Sequence, residues 1–144
     1  MRFLGYDHVD ARVPSIARVE PFYDRLMPEL NLPEKHYAFV DAGGEWHDPA
    51  EGRPYNAVEY HEAAAGSEER VPFFMGFIED PAMLPTSTRI AFRIPCEADL
   101  IHWHAMLLAI GARAVEWSEG EEYPAIFFED PCGTKLEVCA RRPR

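Results

Sequence analysis

A chain of 144 residues with 47% hydrophobic and 12% aromatic content can bury a core as one compact domain, or as two small modules packed together. Its 25 acidic residues against 14 Lys and Arg, a net charge of −11, exclude a nucleic-acid backbone or an anionic membrane as partner, because both need basic patches. No apolar run approaches the roughly 18 residues of a membrane span. The opening residues hold no signal-peptide core, and Cys96, Cys132 and Cys139 are odd in number without zinc-type spacing, so the expectation is a reduced, cytoplasmic protein.

Residues 3–13 read as a strand that alternates from residue 6, with Val9, Ala11 and Val13 on one face and Tyr6, His8, Asp10 and Arg12 on the other. Pro14 ends it. Ser15 is placed to cap a helix carrying Ile16, Val19, Phe22, Tyr23, Leu26 and Leu30 at helical spacing. Pro21 inside that helix forfeits a backbone hydrogen bond or bends the first turn. A short strand is predicted over 36–41, then a Gly-rich loop that carries Glu45, Trp46, His47 and Asp48 and reads as an ordinary exposed loop in preference to a lid over the pocket. Residues 56–62 alternate as a third strand, 73–79 form a fourth that is apolar on both faces, and 81–87 is a linker. The pattern then restarts. Strand 88–95 sets Ile90, Phe92 and Ile94 against Arg89, Ala91 and Arg93. Helix 97–110 packs through Leu100, Trp103, Leu107 and Leu108 and stops at Gly111. Strands follow at 113–117, 123–128 and 135–140, the last behind a tight turn at Asp130-Pro131-Cys132-Gly133.

The restart is a duplication. Residues 8–31 overlay residues 89–112 without a gap at an offset of 81, with Arg12/Arg93, Pro14/Pro95, Ala17/Ala98 and Leu26/Leu107 identical and the apolar positions kept in class. Two copies are too few for a solenoid and imply two halves that face one another. The predicted fold is α+β: two tandem βαβββ modules, 1–84 and 85–144, forming together one domain with a cupped, partly open barrel-like cavity.

Each sheet hides its apolar face under its own helix, so the polar residues collect on the concave side. There His8, Arg89 and Glu137 stand out, with Tyr6, Asp10 and Arg93 on the same faces. If first and last strands are neighbours, Arg89 and Glu137 lie side by side. They are then either an ion pair neutralising two charges on a partly buried face or a binding or acid–base pair in a cavity. Glu59 and His61 share a face of the third strand, as a cavity pair or as a solvent-facing pair. His102 and His104, about 200° apart around a helix, cannot chelate one ion, and His104 is expected beside Trp103. Cys139, on the face of Glu137, reads as a packing residue. The phenylalanines are mostly core, with some lining a cavity suited to a small organic ligand.

Asp7-His8-Val9, Arg12-Val13 and Pro21-Phe22-Tyr23-Asp24 resemble the opening of glyoxalase/bleomycin-resistance/extradiol dioxygenase proteins, the vicinal oxygen chelate superfamily. Arg89-Ile90-Ala91-Phe92-Arg93 resembles the start of that family's second module, and residues 127–138, a D-P-x-G turn followed by L-E-V, resemble its closing hairpin. The resemblance covers nearly the whole chain. It implies a divalent metal held by His or Glu from both modules, and a homodimer in which modules pair or exchange. His8 matches the first-strand ligand and Glu137 the last-strand ligand. Arg89 stands where the family usually has histidine, and 73–78 offers no ligand where some members place a glutamate. A guanidinium has no lone pair to donate. A +1 charge about 4 Å from a +2 ion costs roughly 8 kcal/mol at an effective dielectric near 20. The expectation is therefore no cofactor and no metal at the usual site. The protein would bind a small organic molecule in the inter-module cavity. The alternative is a metal-dependent lyase, isomerase or dioxygenase using His8 and Glu137 plus a non-standard ligand such as Glu59 or His61.

Overall fold

The structure, a computed structural model, describes residues 3–63 and 71–142. The first half runs β1 (His8–Val13), α1 (Ile16–Glu29), β2 (Glu34–Val40), β3 (Trp46–His47), β4 (Ala57–His61) and β5 (Phe74–Glu79). The second runs β6 (Arg89–Ile94), a 3-10 turn at Glu97–Asp99, α2 (Leu100–Ala109), β7 (Arg113–Glu119), β8 (Pro124–Glu129) and β9 (Lys135–Ala140). Two sheets result, in the orders β1-β5-β4-β2-β3 and β6-β9-β8-β7. In each, the first strand runs parallel to the last, β1 to β5 and β6 to β9, and the other neighbours are antiparallel. That is the βαβββ unit, twice, with the two-residue β3 added at the edge of the first sheet.

Four expectations change at the ends of elements. β1 begins at His8 rather than residue 3, because its partner β5 begins opposite it at Phe74 and Gly5 turns the backbone to φ 117°. Tyr6 therefore lies off the strand, 83% exposed, with its ring edge-on to Phe3. Ser15 makes no side-chain cap; the Ile16 N–H donates instead to Glu79 Oε2 at 2.8 Å, so a carboxylate from β5 satisfies the first turn of α1. Trp46 and His47 leave the predicted loop to pair with Val40 and Phe39. α2 starts three residues later than predicted, and Leu108 is 54% exposed, off the face that buries Leu100, Trp103 and Leu107.

The helices cover the apolar faces as the alternation requires. Val19, Phe22, Tyr23, Leu26 and Met27 of α1 pack on Val13, Val58, Tyr60, Met75 and Phe77, each of these side chains contributing on the order of 2 kcal/mol when fully buried. Lys35 pins α1 to its sheet through Glu20 at 2.6 Å and Asp24 at 2.7 Å. The same core runs on into Ile94, Leu100, Trp103, Ile126, Leu136 and Val138 of the second half. Tyr23 links the two: its ring stacks on Phe77 at 3.7 Å, and its hydroxyl donates to Asp130 Oδ2 at 2.7 Å. Asp130 is fully buried and also accepts from the N–H groups of Cys132 and Thr134, which shapes the Asp-Pro-Cys-Gly turn. Burial, first, pushes the Tyr23 phenol well above its ordinary pKa, and the Asp130 charge adds to that.

Candidate binding site

With α1 on one side of the first sheet, cross-strand register decides what shares the other. His8, Phe74 and His61 form one row across β1, β5 and β4; Asp10, Gly76, Glu59 and His36 form the next. Phe74 sits between two imidazoles, stacked on His8 at 4.7 Å and 6° and on His61 at 4.6 Å and 19°. His36 meets His61 edge-on at 4.8 Å. Each outer histidine has a carboxylate beside it. His61 Nε2 lies 3.0 Å from Glu59 Oε2, and His8 Nε2 lies 3.6 Å from Asp10. His8 Nδ1 also bonds Asp7 at 2.7 Å, and this bond, followed by the charges of Asp10 and Asp7, lifts its pKa above the ordinary 6.5. Gly76 keeps the middle of the second row open, because a Cβ there would strike the Asp10 carboxylate. Glu59 and His61 are thus a pair on the concave face. With His36, Trp46 and Arg53 they line a cleft of about 700 Å³.

The second sheet repeats the rows with different chemistry. β6 and β9 are neighbours, as expected, and their register sets Arg89 opposite Lys135 and Ala91 opposite Glu137. Arg89 and Glu137 are therefore diagonal neighbours on one face. No ion pair joins them: the Arg89 guanidinium reaches across β9 to lie 4.3 Å from the ring centre of Phe127, the β8 partner of Glu137. Glu137 is 7% exposed and, among the described residues, takes part in no hydrogen bond or ion pair. Cys139, two residues on, has its thiol pKa raised by burial first and by the Glu137 charge second, which suits the packing role and not a nucleophile. Arg93 is exposed at the far end of the same face and lines a separate cleft of about 490 Å³ with His102 and Trp103. His104 packs on Trp117 at 5.3 Å, not beside Trp103.

The structure thus brings His8, Asp10, Glu59 and His61 onto one face, and Arg89, Arg93 and Glu137 onto another. Among the described residues, no hydrogen bond, ion pair or ring contact links His8 to Arg89 or Glu137, and no strand of one sheet pairs with a strand of the other. The sequence reading missed His36 and Gly76 as members of these faces, and it left open which phenylalanines line them, where the structure puts Phe74 and Phe127. The period-two pattern of β2 and β5 contained the signal for His36, Gly76 and Phe74, but only strand order shows which neighbours they meet.

No family model matches this chain, and no curated protein matches it. Among solved structures, a glyoxalase/bleomycin resistance protein from Albidiferax ferrireducens T118 superposes with a TM-score of 0.61 over 95% of this chain and 98% of that one, at 16% identity. The fold is that of the glyoxalase/bleomycin-resistance proteins. Fosfomycin resistance protein FosX from Mesorhizobium loti shares it at a TM-score of 0.58 and 12% identity, over 98% and 95% of the two chains. A FosX from Listeria monocytogenes, complexed with Mn(II) and 1S,2S-dihydroxypropylphosphonic acid, does so at 0.58 and 17%, over 98% and 95%. Identities this low carry the fold and not the reaction.

Within the glyoxalase-type frame the donors fit a metal poorly. The duplication makes Asp10 and Ala91 equivalent. Gly76, which pairs with Asp10, is therefore the first-sheet counterpart of Glu137, which pairs with Ala91. One of the two last-strand positions thus has no side chain, and Arg89 holds a fixed positive charge beside the other. A grouping with metal-ligand chemistry lies elsewhere, on the β2–β3 hairpin, where ligand atoms of Asp41, Glu45 and His47 fall within 4.8 Å of one another. Asp41 there already accepts from the Gly43 and Glu45 N–H groups and bonds His47 at 2.8 Å, an Asx-type turn that closes the hairpin.

Proposed function

We propose that the protein binds a small organic molecule on the concave faces of its two sheets and works without a metal at the position where His8 and Glu137 would supply it. The observation that carries this reading is Arg89 beside Glu137. A buried carboxylate with no partner is costly, and a guanidinium next to it repels a cation while offering two parallel donors to a ligand oxyanion. In this reading the site is completed in a homodimer, the His8 face of one protomer opposing the Glu137 face of its partner, because among the described residues no hydrogen bond, ion pair or ring contact joins His8 to Glu137 within one chain. Among the described residues no helix is long and apolar enough to cross a membrane, and the three cysteines are free. The reading takes a reducing cytoplasm as the compartment, which unpaired cysteines support.

A second reading keeps a metal-dependent lyase, isomerase or dioxygenase, favoured by the FosX of like fold that was crystallised with Mn(II). His8 and Glu137 would then need a further ligand, and the Glu59–His61 pair on the His8 face is a source of one. Elemental analysis of untagged protein, with sedimentation to fix the oligomer, separates the two. The first reading expects substoichiometric metal and a dimer. One equivalent of Mn, Zn, Ni or Fe that is lost on His8→Ala or Glu137→Ala establishes the second.

A further inference from the structure

The charges around Glu137 are arranged for more than a generic ligand. Glu137 is more than nine-tenths buried and unpartnered, yet Arg53 Nε is the single described buried side-chain polar atom that is both sealed and unbonded. The Glu137 oxygens therefore keep an opening onto the concave face. Their flanks are Ala91 on β6, a bare methyl, and Phe127 on β8. Arg89 is held over that phenylalanine ring at 4.3 Å and, among the described residues, makes no ion pair. Charges elsewhere in the molecule join readily. Lys135 meets Glu129 at 3.3 Å in the row beside Glu137, and Arg142 meets Glu97 at 2.8 Å.

An arginine and a buried glutamate that are diagonal neighbours and remain apart present two opposite charges to one occupant. A simple anion would satisfy Arg89 and leave Glu137 uncompensated. A metal ion or simple amine would satisfy Glu137 and face the Arg89 charge. We propose that the ligand of this face is a zwitterion of amino-acid type. Its ammonium donates to the Glu137 carboxylate, and its carboxylate accepts both parallel N–H groups of Arg89, above the small Ala91 side chain. The inference rests on the small-molecule reading above and names its ligand class.

The test is calorimetric titration of the full chain with L-phenylalanine, phenethylamine and 3-phenylpropanoate, which differ only by loss of the carboxylate or the amine. Amide chemical shifts of β6 and β9 locate the binding. Phenylalanine should bind on the order of tenfold or more tightly than either singly charged compound, the usual return on a charge-assisted hydrogen bond. Arg89→Gln, at an exposed position that does not threaten folding, should abolish the preference over phenethylamine. Glu137→Gln should abolish the preference over 3-phenylpropanoate. Equal affinity for a singly charged compound overturns the zwitterion while leaving the small-molecule reading intact, provided the β6 and β9 amides shift. Preferences that survive both substitutions, or no binding of phenylalanine, also overturn it. Silence of those amides toward all three compounds and toward a broad panel of organic molecules overturns both.

Discussion

His8 shows how far one residue's chemistry depends on its immediate neighbours. Its imidazole lies between Asp7 and Asp10 and stacks on Phe74, and its pKa rises above 6.5 with the Asp7 hydrogen bond as the leading cause. A folded-state pKa above the unfolded one means that folding favours the protonated form. That contribution is fully present below about pH 6.5 and is lost as pH rises through the folded pKa. A proton-NMR titration should therefore place the His8 midpoint above 6.5, and Asp7→Asn should bring it down. A wild-type midpoint at or below 6.5 would contradict the Asp7 bond. Position 8 was legible in the sequence from strand alternation and duplication. Its partner Phe74 was not, since an apolar fourth strand gives no sign of which phenylalanine faces the concave side.

At the scale of the strand, Gly76 sets the shape of the first concave face. Glycine in a strand interior forfeits about 0.5–1 kcal/mol relative to alanine, so its presence between Asp10 and Glu59 calls for a steric reason. Asp10 supplies one, its carboxylate lying where a Cβ would go. Gly76→Ala should accordingly gain about 0.5–1 kcal/mol in an Asp10→Ala background and gain little or lose stability in the wild type, where Asp10 must rotate away. Denaturant unfolding of the four proteins of that cycle measures the coupling; a coupling of zero would mean Asp10 does not occupy the hollow. Element types followed from the sequence because hydrophobic period and turn residues are local. The missed details depend on pairing partners that hydrophobic period does not identify. Glu79 caps α1 across 63 positions, β5 decides where β1 can begin, and Val40 draws Trp46 into a strand.

In the whole molecule, two sheets with separate concave faces share one core, and Tyr23–Asp130 is the polar link inside it. Tyr23→Phe removes the hydroxyl and leaves one Asp130 oxygen without its side-chain donor. The cost should be about 1–3 kcal/mol of global stability with the fold retained, read by denaturant unfolding monitored separately in each half. A change below about 0.5 kcal/mol would show that the turn at Asp130 is held by its two backbone donors alone. Arg18, which donates to the Pro131 carbonyl at 2.9 Å, adds a second tie between α1 and that turn.

The amino-acid sequence by itself determined the types of the longer elements, the twofold βαβββ order and, in the alternating strands, the side on which a residue lies. These rest on backbone sterics, hydrophobic period and an internal duplication, all of which are properties of short segments. It also determined that Arg89 and Glu137 share a face, since alternation fixes parity. Only the tertiary structure decided the register, one pair of residues that turns a supposed ion pair into an arginine on Phe127 and a buried, unpartnered glutamate. It alone decided that Gly76 is the counterpart of Glu137, that Glu59 and His61 meet on the His8 face, and that no strand of one sheet pairs with a strand of the other. Register and strand order are set by packing between residues many positions apart, and no local pattern encodes that energy.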